Sequence, residues 1–310
     1  MAGAGETPLN VLSAAIIGGG PAALAAALYL ARAGKKVRVF ERGEVGGELA
    51  RIDQIENYPG FTGPGRELAA VMRRQAEAAG AEVVYGECTK IIRNKDKRFV
   101  LTIDGEKIES EAVLVATGSE PRQLKLELTK PVSYCALCDG VLTKDKKVVV
   151  VGGGNSAFQG VLYLAGIAQE VTLISHSQIK ADSYLRHKVC ELKNVTIREN
   201  IEPTAEMLNK FDYIFVFIGT RPATKWLRSL RDEKIIDKEM KFAKFEVTKK
   251  HELVDSKGYI LTGGRKRSAH ATEIPGLYAA GDVRSSATKQ VAVAVGDGVD
   301  AALEIIDWLR

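Results

Sequence analysis

Hydrophobic runs that end at glycines occur twice in the chain with the same order of residues around them. Val11–Ile17 is an uncharged run that leads into a Gly-Gly-Gly-Pro turn at 18–21, and an Ala- and Leu-rich segment follows up to Gly34. The same order of residues occurs again at 147–154, where a Lys-Val-Val-Val-Val run is followed by three glycines and then by another apolar helical segment. Each copy predicts a strand, a tight turn and a helix, which is the beginning of a dinucleotide-binding βαβ unit.

The first copy has every residue that such a unit needs. Gly18 allows the tight turn, Gly20 lets a pyrophosphate approach the backbone, and the small Ala23 lets helix and strand pack closely. The next apolar run, 36–40, ends at Glu41, where a carboxylate can bind a ribose hydroxyl pair. With the helix N-terminus facing the phosphates, the first copy predicts a dinucleotide site.

The second copy is incomplete. Its second apolar run, Glu170–Ile174, continues into Ser-His-Ser-Gln-Ile-Lys at 175–180, which offers no carboxylate for a ribose and no arginine pair for a 2′-phosphate. His176 and Lys180 are the candidate cations, and lysine is a weaker phosphate clamp than the rigid fork of arginine. Two interpretations stay open here: an unusual nucleotide site, or an inherited fold without a nicotinamide site.

A second repeated pattern relates the two units. Val113–Pro121 resembles Tyr213–Pro222, since each is an apolar strand that ends at a glycine. From Gly20 to Gly118 the chain runs 98 residues, but from Gly154 to Gly219 it runs only 65. The second unit is therefore predicted to lack about one β-hairpin.

The end of the chain predicts a return to the first sheet. Gly276–Asp282 is another apolar strand that leads to a glycine, and a long apolar helix follows up to Trp308. The predicted fold class is α/β, with two Rossmann-like dinucleotide-binding domains of three-layer ββα type, the second inserted in the first. The expected boundaries are 1–124 and 256–310 for the discontinuous first domain and 125–255 for the inserted domain, with the chain crossing near 123–130 and again near 250–258.

Composition narrows the class of protein. A chain of 310 residues suits two domains, and 45% apolar with 27% charged residues is typical of a soluble globular protein. No basic residue precedes an apolar run at the N-terminus, so we expect no secretory signal. The uncharged stretch 11–31 is interrupted by the glycine turn and is not expected to span a membrane. We expect a soluble, cytoplasmic protein.

Four cysteines include one close pair, Cys135-Ala-Leu-Cys138. A single C-x-x-C fits structural zinc or a redox-active dithiol. Structural zinc needs four ligands, whereas Cys88 and Cys190 stand alone with no neighbouring ligand at zinc spacing. The pattern therefore favours a redox dithiol, and we predict no metal site.

Asp139 directly follows the pair and has two open interpretations. It is either an ordinary turn or cap residue, or the group that donates and accepts a proton while a thiolate leaves or forms. Cys88 and Cys190 are predicted to be buried thiols. A redox dithiol beside a dinucleotide site points to FAD, because a flavin can pass two electrons to a disulfide.

Several separate motifs together resemble the low-molecular-weight thioredoxin reductases along nearly the whole chain. Gly-Gly-Glu-Leu at 46–49 and Gln-Ile-Glu-Asn-Tyr-Pro-Gly-Phe at 54–61 are similar to that family's flavin-contacting segment. Residues 133–140 resemble its active-site disulfide with the adjacent acid. Its C-terminal flavin motif is matched by residues 276–283, 289–291 and 296–298. Because the motifs occur in the family's order, the chain is identified as a member.

The resemblance implies where FAD is held. Gly18, Gly20 and Ala23 would line the pyrophosphate, Glu41 would hold the adenosine ribose, and Asp282 would bind the ribityl chain.

The flavin ring has its own implied contacts. It would lie along Gly47, Glu48 and Asn57 and face Gln290 and Val291. The other implied cofactor contacts are Pro21, Ala22, Arg42, Gly46, Leu49, Cys88, Thr117, Gly118, Gly281 and Lys289.

The resemblance also implies the roles of the redox residues. In the family the second cysteine, here Cys138, faces the flavin, and the first, here Cys135, attacks the protein substrate, so that Asp139 is the proton donor. The dithiol faces flavin and substrate in turn because the inserted domain rotates about its two linkers. The implied substrate is a thioredoxin-like protein, and such enzymes are usually homodimers.

The second unit departs from the family pattern. The family carries an acidic pair after the second glycine turn, where this chain has Phe158-Gln159-Gly160. It carries a His-Arg-Arg cluster with a further Arg for NADPH, where this chain has Ser175-His176-Ser177 and Lys180. The chain thus resembles members that do not use NADPH efficiently. Such relatives take electrons from ferredoxin or another reduced carrier, or pass electrons from dithiols to oxygen.

Four functions follow, and we expect the first. It is an FAD-dependent disulfide reductase that acts on a thioredoxin-like protein with a donor other than NADPH. The second is an NADPH-dependent thioredoxin reductase whose nucleotide is held by His176, Lys180 and Arg221. The third is a flavin-linked dithiol oxidase, and the fourth, a non-enzyme, is a flavin-bound redox sensor.

Charge distribution adds one observation. Residues 125–257 hold 22 basic and 17 acidic residues, an excess that equals the formal charge of +5 of the whole chain. This excess either steers an acidic protein partner or is a solvated lysine-rich face. Nucleic-acid binding is not expected, since basic and acidic residues alternate and no aromatic platform accompanies them.

Overall fold

The chain folds into two compact units, one inserted in the other. A computed structural model describes residues 11–94, 96–230, 253–263, 268–285 and 287–310. Met1–Ser119 and Pro222–Arg310 form the outer unit, and Glu120–Arg221 forms the inserted unit.

The second crossing between the units differs from the one predicted. The first crossing lies close to the expected 124/125, but the second lies at 221/222 instead of 255/256. Trp226 and Leu227 pack in the apolar core of the outer unit, and the side chain of Leu227 is fully buried there, so the chain has already returned. Residues 231–252, which the sequence placed in the inserted domain, lie outside the described residues.

A parallel sheet forms the centre of the outer unit. In chain order its elements are β1 (Leu12–Ile17), α1 (Pro21–Arg32), β2 (Val37–Glu41), β3 (Ile55–Tyr58), β4 (Phe61–Gly63), α2 (Gly65–Ala78), β5 (Glu82–Tyr85), β6 (Cys88–Arg93), β7 (Phe99–Ile103), β8 (Glu106–Val115), then β16 (Leu277–Ala279) and α7 (Val291–Trp308). Strands β5, β2, β1, β8 and β16 are parallel neighbours in that order. Strands β6 and β7 add an antiparallel hairpin to β8.

The two faces of this sheet pack against different partners. One face lies under α1 and α7, in a core rich in alanine that includes Ala14, Ala26 and Ala301. The other face packs on the β6–β7 hairpin through larger side chains such as Phe99 and Leu101. Alanine favours helix and allows a close approach, so α7 lies so near α1 that a Cβ on Gly298 would be 2.1 Å from the carbonyl oxygen of Ala22. The predicted three-layer ββα arrangement is confirmed.

The inserted unit has five parallel strands. Its elements are β9 (Ser119–Pro121) at its entrance, β10 (Val132–Ser133), α3 (Ala136–Asp139), β11 (Lys147–Val151), α4 (Asn155–Ala165), β12 (Glu170–Ser175), α5 (Ser183–Cys190), β13 (Val195–Glu199), α6 (Ala205–Leu208), β14 (Tyr213–Val216) and β15 (Thr220–Pro222) at its exit. The order in the sheet is β10–β14–β11–β12–β13. The chain passes from β13 through α6 to β14 without a hairpin in this fully described unit, so the predicted shortening is confirmed.

The two crossings pair with each other. Strands β9 and β15 form a two-stranded sheet. Arg122 N–H donates to Gly219 O at 2.9 Å, and Arg221 Nε donates to Glu120 Oε1 at 2.9 Å. The chain therefore enters and leaves the inserted unit side by side. Among the described helices, none is long and apolar enough to cross a membrane.

Candidate active site

The first glycine turn leaves no room for a side chain. Gly18 has φ +102°, and a Cβ on it would lie 2.4 Å from Ala116 O. Its N–H donates to Phe40 O at 2.8 Å, which fixes the turn between β1 and β2. In the described part of the chain no side chain caps the N-terminus of α1, so its first N–H groups are directed at the space beyond Gly20.

Glu41 is held against this turn by the backbone. Its Oε2 accepts from Gly19 N–H at 2.6 Å and its Oε1 from Gly43 N–H at 2.7 Å. The structure therefore places the carboxylate beside the glycine turn, as the sequence predicted for a group that binds a ribose.

A second glycine loop lies next to the first. Gly46 N–H donates to Gly19 O at 2.8 Å. Gly46 has φ +110°, and a Cβ on it would meet Ala69 Cβ at 2.6 Å, whereas a Cβ on Gly47 would lie 3.7 Å from Gly20 Cα. The Gly46-Gly47 backbone and the first turn therefore form one cradle free of side chains.

The residues predicted to contact the flavin meet at the end of β16. Asn57 Nδ2 donates to Gln290 Oε1 at 3.2 Å, although these residues are far apart in sequence. Asp282 lies in the turn after β16, where burial raises the pKa of its carboxyl, Lys289 lowers it and Glu48 raises it further. The structure thus brings residues 48, 57, 282, 289 and 290 together.

These features fit FAD. An uncapped helix N-terminus, a cradle without Cβ atoms and a fixed carboxylate are what a dinucleotide pyrophosphate and ribose need. Among the other predicted contacts, Arg42 pairs with Glu87 at 3.4 Å, and Thr117 Oγ1 donates to Ala223 O at 2.9 Å. Both polar side chains therefore have protein partners of their own.

The two isolated cysteines differ in exposure. Cys88 is buried, and this burial raises the pKa of its thiol to about 12, so that it stays protonated. Cys190 is exposed, and the prediction that it is buried was wrong. Helix α5 is short, and Val189 is its one fully buried side chain, so Cys190 at its end faces solvent.

The cysteine pair forms a disulfide at the start of α3. The Cα atoms of Cys135 and Cys138 are 5.4 Å apart. Cys138 N–H donates to Cys135 Sγ at 3.1 Å, because Cys135 is the N-cap of α3. Cys138 is exposed and Cys135 is half-buried. In the described part of the chain no three His, Cys, Asp or Glu side chains are grouped as a metal site.

Asp139 is held by a serine that the sequence analysis did not single out. Ser133 Oγ donates to Asp139 Oδ2 at 2.6 Å and accepts from Cys135 N–H at 3.0 Å. Burial, and to a smaller extent the charge of Asp139, raise the pKa of Tyr213 on the neighbouring strand. The one sequence signal for Ser133 is its position two residues before Cys135.

A buried ionic cluster supports the flavin turn of the outer unit. Asp297 Oδ2 accepts from Gly281 N–H at 3.1 Å and from Arg284 Nη1 at 2.5 Å. His270, 3% exposed, has its Nε2 3.5 Å from Asp297 Oδ1 and its Nδ1 3.3 Å from Glu304 Oε1. The cluster thereby ties α7 to the turn that carries Asp282.

This cluster predicts a loss of stability at alkaline pH. Burial, the largest influence, and Arg284 lower the pKa of His270, but its hydrogen bonds to Asp297 and Glu304 outweigh them and raise the pKa from 6.5 to about 8. A raised folded-state pKa gives stability that is present below about 6.5 and lost as pH rises through about 8, by up to about 2 kcal/mol.

Tryptophan fluorescence can measure this loss, because both tryptophans, Trp226 and Trp308, belong to the outer unit. Urea unfolding of the holoprotein at about pH 6 and about pH 9 should show the loss, and the pH dependence of His270→Gln should be smaller by about 2 kcal/mol. Equal pH dependence in both proteins would contradict the role of His270.

The inserted unit repeats the glycine turn with a serine where the outer unit has a glutamate. Gly152 N–H donates to Ile174 O at 2.9 Å, the bond that Gly18 makes to the residue before Glu41. Ser175 therefore occupies the position of Glu41. A Cβ on the glycine after Gly152 would lie 2.3 Å from Ser175 Oγ.

Serine cannot replace the carboxylate at this position. Ser175 is 3% exposed, and its Oγ donates to Ser177 O at 2.6 Å. A ribose diol donates two hydroxyl hydrogens, and one uncharged, buried serine oxygen cannot accept them as the two oxygens of a carboxylate do.

Carboxylates occur where a nucleotide phosphate would need cations. Asp182 accepts from Asn155 Nδ2 at 2.8 Å and donates its N–H back to Asn155 Oδ1 at 2.9 Å, so its negative charge lies at the first residue of α4. His176 is paired with Glu202. Lys180 is exposed, and its N–H donates to Gly153 O at 2.8 Å.

Comparison with known proteins assigns the family. A family model described as "Pyridine nucleotide-disulphide oxidoreductase" matches residues 12–298. The chain belongs to this family. Within it the chain is a flavoprotein disulfide oxidoreductase of the low-molecular-weight thioredoxin reductase type.

Individual thioredoxin reductases align over nearly the whole chain. The thioredoxin reductase of Bacillus subtilis is 32% identical over 95% of this chain and 94% of its own length, and that of Listeria innocua is 34% identical over 91% and 89%. The crystal structure of Lactococcus lactis thioredoxin reductase in its FR conformation superposes with a TM-score of 0.81, at 28% identity, over 96% of this chain and 99% of that one. The predicted family and fold are confirmed.

Proposed function

We propose that this thioredoxin reductase homologue reduces the disulfide of a thioredoxin-like protein with electrons that do not come from NADPH. FAD bound in the outer unit would supply the electrons, and the Cys135–Cys138 pair would pass them to the substrate. The observation that carries the donor part of the proposal is the charge around the inserted glycine turn, where His176 is paired with Glu202 and Asp182 places a negative charge at the start of α4.

The outer unit provides the FAD site. Gly18, Gly20 and the N-terminus of α1 would hold the pyrophosphate and Glu41 the ribose, while Asp282 would bind the ribityl chain. Bound FAD supplies the transfer of two electrons to a disulfide.

The dithiol performs the exchange. When the Cys135–Cys138 bond accepts two electrons it opens into two thiolates, and Asp139 gives a proton to the Cys138 thiolate. The Cys135 thiolate then attacks the substrate disulfide, forms a mixed disulfide and releases one substrate thiolate. Cys138 then returns its proton to Asp139, attacks Cys135 Sγ as a thiolate, re-forms the internal disulfide and releases the second substrate thiolate. The Cys138 N–H lies 3.1 Å from Cys135 Sγ and can donate a hydrogen bond to the thiolate that forms there.

Three carboxylates of the inserted unit disfavour the binding of NADPH. A 2′-phosphate is held best by the fork of arginine, and here His176 is paired with Glu202 and Arg221 with Glu120. Glu199, the last residue of β13, lies against the loop that carries His176, where its Oε1 accepts from Ile179 N–H at 2.6 Å. Two missing charge-assisted hydrogen bonds, each worth about 1.5 kcal/mol or more, weaken binding at least about 100-fold.

An anaerobic titration tests the donor. Purified holoprotein is mixed with NADPH and then NADH while the oxidised flavin absorbance is followed, and reduced ferredoxin is added to a second sample. We expect the absorbance to persist with both nucleotides and to disappear with the reduced carrier. Dithionite is the control for a reducible flavin, and a glutathione reductase sample checks the NADPH. Rapid bleaching by NADPH would overturn the donor proposal and restore a nucleotide site at His176, Lys180 and Arg221.

The same sample separates the remaining alternatives. A dithiol oxidase would consume oxygen in the presence of a dithiol protein, whereas a reductase turns over a thioredoxin disulfide when it is supplied with electrons. A redox sensor would show neither reaction at a useful rate.

The partners follow from the relatives. The similar proteins are named thioredoxin reductases, so the proposed substrate is a thioredoxin-like protein. The proposed donor, ferredoxin or another reduced carrier, rests instead on the carboxylates around the inserted turn. A cytoplasmic location fits this chemistry, because thiols are kept reduced there.

We also propose a homodimer. Tyr29 on α1 and Leu303 on α7 are exposed apolar side chains that a second copy of the chain could cover. A solution mass of 33.5 kDa would contradict it.

A further inference from the structure

Ser133 lies between the attacking cysteine and the acid. Strand β10 pairs with β14 at Ser133 and Phe215, so the serine backbone is fixed by the sheet. Its side chain is buried, 3% exposed, directly under the loop that carries Cys135 and Asp139. A buried hydroxyl of this kind needs partners for its hydrogen and its lone pairs.

The hydroxyl of Ser133 has two acceptors within reach. Its Oγ is 2.6 Å from Asp139 Oδ2 and 3.1 Å from the carbonyl oxygen of Cys135. The same Oγ accepts from Cys135 N–H at 3.0 Å. A serine hydroxyl has one hydrogen and two lone pairs, so it can donate to only one of these oxygens at a time.

Both protonation states of Asp139 are satisfied by this arrangement. When Asp139 is ionised, Ser133 donates to Oδ2. When Asp139 is protonated, its own O–H donates to Ser133 Oγ, and the serine hydrogen turns to the Cys135 carbonyl at 3.1 Å. In each state Oγ keeps the bond from Cys135 N–H, so no buried polar atom loses its partner.

We propose that Ser133 is a positioning residue that holds Asp139 in place for both giving and taking the proton of each thiol exchange. The inference rests on the proposed function of the Cys135–Cys138 pair and names a residue on which its proton transfer depends. The serine moves no heavy atom between the two states, so the acid keeps its place next to the dithiol through the cycle.

Other ionisable groups lie beside this loop. One is Tyr213 on β14, and its pKa is raised by burial and by the charge of Asp139. Another is Tyr163 on α4, whose ring would lie 2.7 Å from a Cβ on Gly140. The thiols of Cys135 and Cys138 exchange protons with the acid in the same reaction. A pH profile therefore reports the whole set, and only a comparison of variants assigns a change to Ser133.

The test follows the reduced dithiol and needs no natural donor or substrate. Full-length holoproteins in a Cys190→Ser background are reduced anaerobically with dithionite, desalted and mixed with 5,5′-dithiobis(2-nitrobenzoate) from pH 5 to pH 9. Ser133→Ala removes the hydroxyl and Ser133→Thr keeps it. Ser133→Val has the shape of threonine without the hydroxyl, and it replaces Ser133→Ala if that variant fails to fold.

Loss of the donor disfavours the carboxylate form, so the acidic limb of the Ser133→Ala profile should move up by about one pH unit. Its rate at neutral pH should fall about tenfold. Ser133→Thr should stay within about twofold of the parent, whereas Ser133→Val should behave like Ser133→Ala. In an Asp139→Asn background Ser133→Ala should cause no further shift of the limb, because no carboxyl proton is left to position.

Two results would overturn the inference. One is a Ser133→Ala profile that superposes on that of the parent. The other is an equal loss of rate in the threonine and valine variants at every pH with no shift of the limb, as for a purely structural role. Failure of the parent itself to re-form the Cys135–Cys138 disulfide would instead refute the proposed dithiol function, so the two failures are distinguishable.

Discussion

Replacing Cys135 with serine is expected to lower the turnover of a protein disulfide by about 10³-fold or more while FAD stays bound. A serine hydroxyl is not ionised at neutral pH and cannot form a disulfide, so neither the mixed disulfide nor the internal one can exist. Cys135 belongs to the inserted unit, whereas the glycine cradle belongs to the outer unit. Turnover with reduced ferredoxin and a thioredoxin disulfide measures the loss, and the absorbance of the bound flavin measures retention.

Cys190→Ser is the matched control for this experiment. Cys190 is exposed and lies at the end of α5, so its replacement should leave turnover within about twofold of wild type. If Cys135→Ser turned over the disulfide at the wild-type rate, the chemistry assigned to the pair would be wrong.

Replacing Gly18 with alanine is expected to remove most of the bound flavin. The added Cβ would lie 2.4 Å from Ala116 O, and φ of +102° is itself a strained conformation for alanine. The turn must therefore open at the place where the pyrophosphate approaches the backbone, at a cost of roughly 3 kcal/mol or more in FAD affinity. The ratio of flavin to protein absorbance after purification, and titration of the apoprotein with FAD, measure the loss.

Gly34→Ala separates the clash from the strain. Gly34 also has positive φ, +70°, but nothing lies within 4 Å of a Cβ there. The Gly34→Ala protein should therefore lose only about 1–2 kcal/mol of folding stability and should keep its FAD. A Gly18→Ala protein that binds FAD as tightly as the Gly34→Ala control would disprove the steric argument.

The sequence predicted the repeated architecture because the pattern of strand, glycine turn and helix is local. The turn at Gly18, the carboxylate at Glu41 and the missing hairpin were each visible as spacing, and the structure has them at the expected places. The departure at Ser175 was also visible, since it needed only the identity of the residue at the strand end.

Features that depend on packing could not be predicted in the same way. The second crossing was placed too late because nothing in the sequence marks that Leu227 is buried in the outer core. Cys190 was predicted to be buried because free cysteines usually are, but its exposure depends on which side of α5 packs on the sheet. Ser133 was missed because the bond between its hydroxyl and Asp139 depends on how α3 folds back over β10.

The pairing of β9 with β15 affects how the outer unit can assemble. While the inserted unit is unfolded, the outer unit has to close a loop of 102 residues, Glu120–Arg221, before Ala223 N–H can bond to Gly118 O. Once the inserted unit has folded, its two ends lie side by side, and the segment acts as a loop of only a few residues. The entropic cost of closing the loop is therefore about 3 kcal/mol lower when the inserted unit is already folded. Early folding of the inserted unit therefore makes the contact between Gly118 and Ala223 nearly local, and it shortens the effective separation of β8 and β16, which speeds formation of the outer sheet.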